Sequence, residues 1–132
     1  MRTRLNRSLG PAVLATMLAC AGSATPEETV EVYHGHMAAM DFDGAARVVY
    51  VPAGNAAEVL AREYERDGLD YGRAEIRDRE KAGPDEIEFT VAYPRRLAPG
   101  APAVKRRLIV RRIDGIWYCV PAGAGVGDEG TD

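Results

Sequence analysis

The spacing of apolar residues changes once along this chain, at Gly68, and that change governs what it can fold into. Before Gly68 apolar positions recur about every 3.6 residues, the helical period; after it they alternate about every two, the strand period. Upstream, "TPEE" at 25–28 predicts a helix start. Thr25 can cap, Pro26 suits the first helical position, and Glu28 completes a capping box with acids at the positive end of the dipole. Val30, Tyr33, Met37 and Met40 then form one apolar stripe. "MDFDGAARVVYVP" restarts the pattern, with Asp41 or Asp43 as the cap of a short second helix that Pro52 ends. A third helix is expected in "GNAAEVLAREYERDG", capped by Asn55, facing inward through Val59, Leu60 and Tyr64, and stopped by Gly68.

Downstream, "DEIEFTVAY" places Ile87, Phe89, Val91 and Tyr93 on one face and Glu86, Glu88 and Thr90 on the other. "AVKRRLIVRRI" alternates too, with Val104, Leu108 and Val110 sharing a face. Asp114-Gly115 between two apolar runs is a strong hairpin signal. The charged "DYGRAEIRDREKA" before them reads as an edge strand. The expected fold is therefore α+β: three N-terminal helices packed on a curved, four-stranded antiparallel sheet. It spans residues 25–121, one domain's worth of chain with one core.

The ends of the chain speak to location. Residues 1–7 carry Arg2, Arg4 and Arg7 without an acid, and residues 8–19 are apolar or small. That is a signal-peptide pattern, too short for a permanent span of about 20 residues. Cys20 follows at once. "Met17-Leu18-Ala19-Cys20" resembles the bacterial lipoprotein signal, in which the cysteine receives a diacylglycerol and becomes the first residue. The resemblance implies a protein of the bacterial cell envelope, exported and lipid-anchored to a membrane through Cys20. Other readings are an ordinary signal peptide cut at Ala19-Cys20-Ala21 or Gly22-Ser23-Ala24, and a Cys20 that packs or pairs with Cys119. With Cys20 lipidated, Cys119 in "GIWYCVP" is a packed thiol. Residues 20–24 form a tether, and the stretch Ala21 to Thr25 reaches about 17 Å when extended. Residues 122–132, small and acidic, read as a disordered tail. Of the 17 basic residues three lie in the first seven, and all 20 acids lie beyond residue 19, so loss of residues 1–19 leaves a net charge of −6. That charge argues against nucleic acid as a partner.

The helix-then-sheet order, the capped "TPEE", "MDFDGAA" and the terminal "DGIWYCV" together resemble the nuclear transport factor 2-like superfamily, and most of all its small bacterial lipoproteins without assigned function. The resemblance covers about residues 25–121. It implies a cone-shaped, cystatin-like fold with a pocket between the long first helix and the sheet, and Tyr33, Met37, Tyr64, Tyr93 and Trp117 are its candidate lining. Ketosteroid isomerases in this superfamily place a first-helix tyrosine, an oxyanion donor, before an Asp-Leu-Asp-Gly segment. Here Tyr33 precedes Asp41-Phe42-Asp43-Gly44. Those enzymes also use an aspartate base and a protonated aspartate donor. The corresponding segments here, "YVPAGN" and "KRRLIVRR", carry no carboxylate. A donor without a base does not make a proton-transfer site, so no catalytic residue is assigned.

His34 and His36 in "HGH" lie about 200° apart on a helix, and no ligand cluster supports them, so neither a metal nor another cofactor is expected and both read as solvated positions. Lys105, Arg107 and Arg111 share one sheet face and form a candidate basic patch, either cross-paired with Glu86, Glu88, Glu75 and Asp78 or facing an anionic headgroup or acidic partner. In "GIWYCV", Trp117 and Cys119 share one face and Ile116, Tyr118 and Val120 the other. A strand apolar on both sides is compatible with a homodimer. The expected function is an envelope lipoprotein whose non-enzymatic domain binds a small ligand or an envelope protein. The alternatives are an isomerase- or lyase-type pocket enzyme using Tyr33 and a structural dimerisation module.

Overall fold

The computed structural model describes residues 25–51 and 54–120. The expected signal peptide, tether and tail, with Cys20, Pro52 and Pro121, fall outside the described residues. Three helices come first: α1 (Pro26–Ala38), α2 (Phe42–Ala46) and α3 (Ala56–Asp67). A 3₁₀ turn at Tyr71–Arg73 leads into β1 (Glu75–Gly83), β2 (Glu86–Tyr93), β3 (Val104–Ile113) and β4 (Ile116–Val120). The strands form one open antiparallel sheet in the order β1-β2-β3-β4.

The helix starts follow from capping chemistry. Thr25 Oγ1 accepts the Glu28 N–H at 3.1 Å, Asp41 Oδ1 that of Gly44 at 3.0 Å, and Asn55 Oδ1 that of Glu58 at 3.2 Å. The ends are less regular. α1 stops at Ala38, and Met40 adopts φ 58°, so that its N–H meets Met37 O and the Asp41 N–H meets His36 O at 2.8 Å. That closure is the Schellman arrangement, with methionine where glycine is usual. Met40 therefore leaves the apolar stripe and is 53% exposed, whereas Val30, Tyr33 and Met37 are buried.

α2 also ends earlier than the expected stop at Pro52. Val48 and Val49 are β-branched and suit extended chain. The Cys119 N–H donates to Val48 O and the Tyr50 N–H to Cys119 O, both at 2.8 Å, so this segment runs parallel beside β4 and covers its outer edge. α3 ends at Gly68, whose φ of 63° is a left-handed cap. In the β3–β4 hairpin Asp114 and Gly115 have φ values of 53° and 83°, the pair of positive angles that a two-residue turn of the right twist needs.

Alternation then builds the core. Ile87, Phe89 and Val91 on β2, Leu108 and Val110 on β3, and Trp117 and Cys119 on β4 face the helices, which contribute Val30, Met37 and Leu60. Each such large apolar side chain contributes about 1.5–3 kcal/mol by leaving water. β1 is exposed along almost its whole length and is interrupted by register shifts at Ile76/Asp78 and Lys81/Gly83. The loop after β2 is pinned: the Arg96 N–H donates to Gly68 O at 2.8 Å, and its guanidinium lies 4.1 Å from the Tyr64 ring centroid.

Candidate functional site

The inner layer is unusually polar where α1, α3, the 3₁₀ turn and the first half of β3 meet. Tyr33 comes from α1, Glu63 from α3, Tyr71 from the turn, Tyr93 from the end of β2, and Arg106 and Leu108 from β3; together they line a cavity of about 30 Å³. That volume holds about a single water molecule. The rings pack edge to face: Tyr33 on Tyr71 at 6.2 Å between centroids and Tyr71 on Tyr93 at 5.3 Å. Tyr64 stacks on the far side of Tyr71 at 6.0 Å.

Glu63 is 6% exposed, a carboxylate beside the phenols that also pairs with Arg66 Nη2 at 3.8 Å. One turn further along α3 the Asp67 side chain is 8% exposed and bonds Arg106 Nη1 at 3.2 Å and Arg66 Nε at 2.8 Å. Burial alone would raise the Asp67 carboxyl, but the bonds from Arg66 and Arg106 outweigh it and hold the pKa below its ordinary value. Burial pushes the Tyr33 hydroxyl well above its usual range, with Tyr71, Tyr93 and Glu63 adding to the effect. Tyr71 is raised by burial and then by Glu63 and Asp67, and Tyr93 by burial and then by Tyr71. All three phenols are therefore protonated at neutral pH; Tyr93 is engaged with His34, which leaves Tyr33 and Tyr71 as candidate donors. The site can hold a small hydrogen-bonding group between donors and one carboxylate.

His34 extends the cluster. Its Nε2 lies 2.7 Å from the Tyr93 hydroxyl. Burial lowers the imidazole pKa to about 4, so the ring is neutral at pH 7 and shares one hydrogen bond with the phenol. This corrects the expectation of a solvated His34. His36 behaves differently and bonds Asp41 Oδ2 through Nδ1 at 3.0 Å. The two histidines do not converge. Among the described residues no group of three or more His, Cys, Asp and Glu could hold a metal ion.

Of the five expected pocket residues, Tyr33 and Tyr93 line the cavity and Tyr64 backs it. Met37 is fully buried core, and Trp117 packs elsewhere, under the Arg112 guanidinium at 5.1 Å. The expected basic patch is split by its partners. Arg107 pairs with Glu88 at 3.0 Å and Arg111 with Glu86 at 3.1 Å, the cross-strand alternative weighed from the sequence. Glu63, Tyr71 and Arg106 were not among the expected site residues. A signal existed: Leu60, Glu63, Tyr64 and Asp67 fall at i, i+3, i+4 and i+7, which sets two carboxylates on the buried face of α3.

No family model matches the chain, and no curated protein matches it. A solved structure does: a SEC-C motif containing protein from Psychrobacter arcticus superposes with a TM-score of 0.58 at 9% identity, covering 80% of this chain. The chain spans 63% of the length of that protein. At such identity the likeness is one of fold. No helix among the described residues is long and apolar enough to cross a membrane.

Proposed function

We propose that this chain is an exported protein of the bacterial cell envelope, lipid-anchored through Cys20, whose nuclear transport factor 2-like domain binds a small hydrogen-bonding ligand at the cavity of Tyr33, Glu63, Tyr71, Tyr93 and Arg106. The lipoprotein-type box before Cys20 supports the anchor, and helices on one face of an antiparallel sheet agree with a cone-shaped fold. The observation that carries the binding function is Glu63: a carboxylate buried beside the phenols of the cavity and paired with Arg66 at 3.8 Å, where an apolar side chain of similar volume would serve stability as well or better. Buried ionisable groups at a cleft are candidates for function on that ground. The cavity is far below the roughly 300 Å³ of a whole drug-sized ligand. It receives one end of a molecule, such as a carbonyl or hydroxyl, in place of a water.

Native mass spectrometry of the full chain, extracted from membranes in mild detergent, tests this. The expected result is a co-purifying small molecule that Glu63→Leu loses by about tenfold or more, the worth of a hydrogen bond to a charged group. A wild-type protein that carries nothing, and takes up nothing from a metabolite extract, would end the ligand reading.

A second reading is favoured by the same residue. The segments where ketosteroid isomerases carry their carboxylates hold none here, but Glu63 lines the cavity with Tyr33. An isomerase- or lyase-type reaction would use Glu63 to take a proton and Tyr33 to steady the developing oxyanion. If the captured ligand is a carbonyl compound, wild type should exchange its α-hydrogen in deuterated water and Glu63→Gln should not.

A further inference from the structure

A second concavity lies at the corner of the sheet where β1 begins and β2 ends. It has a volume of about 460 Å³ and is lined by Arg73, Glu75, Arg77, Ala92, Pro94 and Ala103. That volume is within the roughly 300–1,000 Å³ of small-molecule sites, and none of these residues lines the cavity of Tyr33 and Glu63. Val91 and Tyr93 belong to the core between sheet and helices, so Ala92 between them points to the outer face. There it stands in a row with Glu75 on β1 and Lys105 on β3.

Side-chain size makes this corner hollow. The outward residues of β2 run Glu86, Glu88, Thr90 and then Ala92, so the row ends on a methyl group between two long side chains. Pro94 and Ala103, rigid and small, line the cleft where the chain leaves β2 and rejoins the sheet at β3. The backbone then brings a cation to the hollow. The β1–β2 register passes from Ile76 opposite Val91 to Asp78 opposite Thr90, which makes Arg77 the extra residue of a bulge. Bulges re-aim side chains beside sites. Here Arg77 turns to Glu75, Nη2 to Oε1 at 3.0 Å, and both line the cleft. Arg73 and Lys105 have no ion pair among the described residues. Arg107 and Arg111, further along β3, are each paired with a glutamate of β2.

We propose that this cleft is a separate binding site for a small phosphate ester, whose phosphate sits between Arg73 and Lys105. A guanidinium fork and a mobile ammonium are the side chains that suit phosphate oxygens. The cations Arg73, Arg77 and Lys105 face one acid here, Glu75, so the cleft favours an anion. They come from three elements, the 3₁₀ turn, β1 and β3, and so approach from different sides. That arrangement matches a tetrahedral phosphate better than a flat carboxylate. The Arg77–Glu75 pair offers a donor and an acceptor to a hydroxyl on the ester's organic end, and Ala92, Pro94 and Ala103 offer it apolar contact. A soluble ester and the headgroup of an anionic phospholipid present the same phosphate and glycerol chemistry. The inference goes beyond the ligand of the inner cavity and does not rest on it.

The test titrates the full chain in mild detergent with glycerol 3-phosphate, read by calorimetry. Binding should be saturable and should weaken as salt rises. Arg73→Gln and Lys105→Gln should each lose about tenfold in affinity. Lys81→Gln, at the far end of β1, should change it less than about twofold. All three positions are exposed, so the variants keep the fold. An equal loss at Lys81 would mean attraction by net charge alone and would overturn the proposal, as would no binding of glycerol 3-phosphate or inorganic phosphate. The full chain in vesicles then separates the two sources. Slowed amide hydrogen exchange at 73–77 in phosphatidylglycerol vesicles without added ester would support the site and assign it to the headgroup. Slowing in phosphatidylcholine vesicles only on addition of glycerol 3-phosphate would support it as a site for the soluble ester, and slowing in neither would sink it. A small molecule captured by wild type and kept by Arg73→Gln would leave the proposed function standing even then.

Discussion

Single residues carry most of the electrostatics here, and His34 is the sharpest case. Its folded pKa, about 4, lies below the ordinary 6.5 because burial disfavours the charged ring. Between those values the unfolded chain binds the proton and the folded chain does not. The contribution to stability is therefore fully present above about pH 6.5 and is lost as the pH falls from there towards 4. A shift of this size is worth on the order of 3 kcal/mol. His34→Gln keeps a polar side chain but no titrating group. We expect the wild type to lose about 2–3 kcal/mol more than this variant between pH 7 and pH 4, read from urea midpoints. Equal losses would show that burial does not hold the ring neutral. The contrast with His36 is instructive: two histidines one residue apart read alike in sequence, but one faces Tyr93 and the other Asp41. Asp41 itself is held below the usual carboxylate range first by the Gly44 N–H and then by His36. Gly44 sits under that pair, where an added Cβ would lie 2.4 Å from Asp41 Oδ2.

Among elements, what could be read locally was read. Thr25, Asp41 and Asn55 cap, Gly68 stops α3 and Asp114-Gly115 turns, because each depends on a few consecutive residues. What failed depends on distant chain. Val48 and Val49 look like the end of a helix until the β4 edge is there to pair with them, and Glu63 looks like a surface acid until Tyr33 and Tyr71 close over it. The one local miss is Met40, which continues the apolar stripe by count but closes the helix by geometry. A left-handed φ costs a side-chain-bearing residue roughly 1–2 kcal/mol, and Met40, at 53% exposure, recovers little of that by burial. Met40→Gly should therefore raise stability by about 1 kcal/mol, despite glycine's greater freedom in the unfolded chain, and urea unfolding would show it. A loss of stability would mean that the methionine side chain packs to more purpose than its exposure suggests.

On the scale of the whole molecule, the two cysteines link the described domain to the proposed anchor. Cys119 is buried, unpaired among the described residues and part of the core on β4, and burial raises its thiol pKa far above the reactive range. It should be silent to a thiol reagent until the sheet opens. Cys20, if it carries a diacylglycerol, is a thioether and never titrates. The thiol count of membrane-extracted protein therefore reports on domain and anchor together. We expect none per chain in the native state and one after denaturation, with or without reductant. Two after denaturation without reductant would mean a free Cys20 and an export signal without a lipid. None without reductant and two with it would mean that Cys20 is tied to Cys119, which the packing of Cys119 against the helices could accommodate only if the sheet's inner face rearranged. A count of one in protein that stays with the membrane would fix the α1 end of the domain within about 17 Å of the lipid, whereas the same count in protein released from the membrane would mean an ordinary signal peptide cut beyond Cys20.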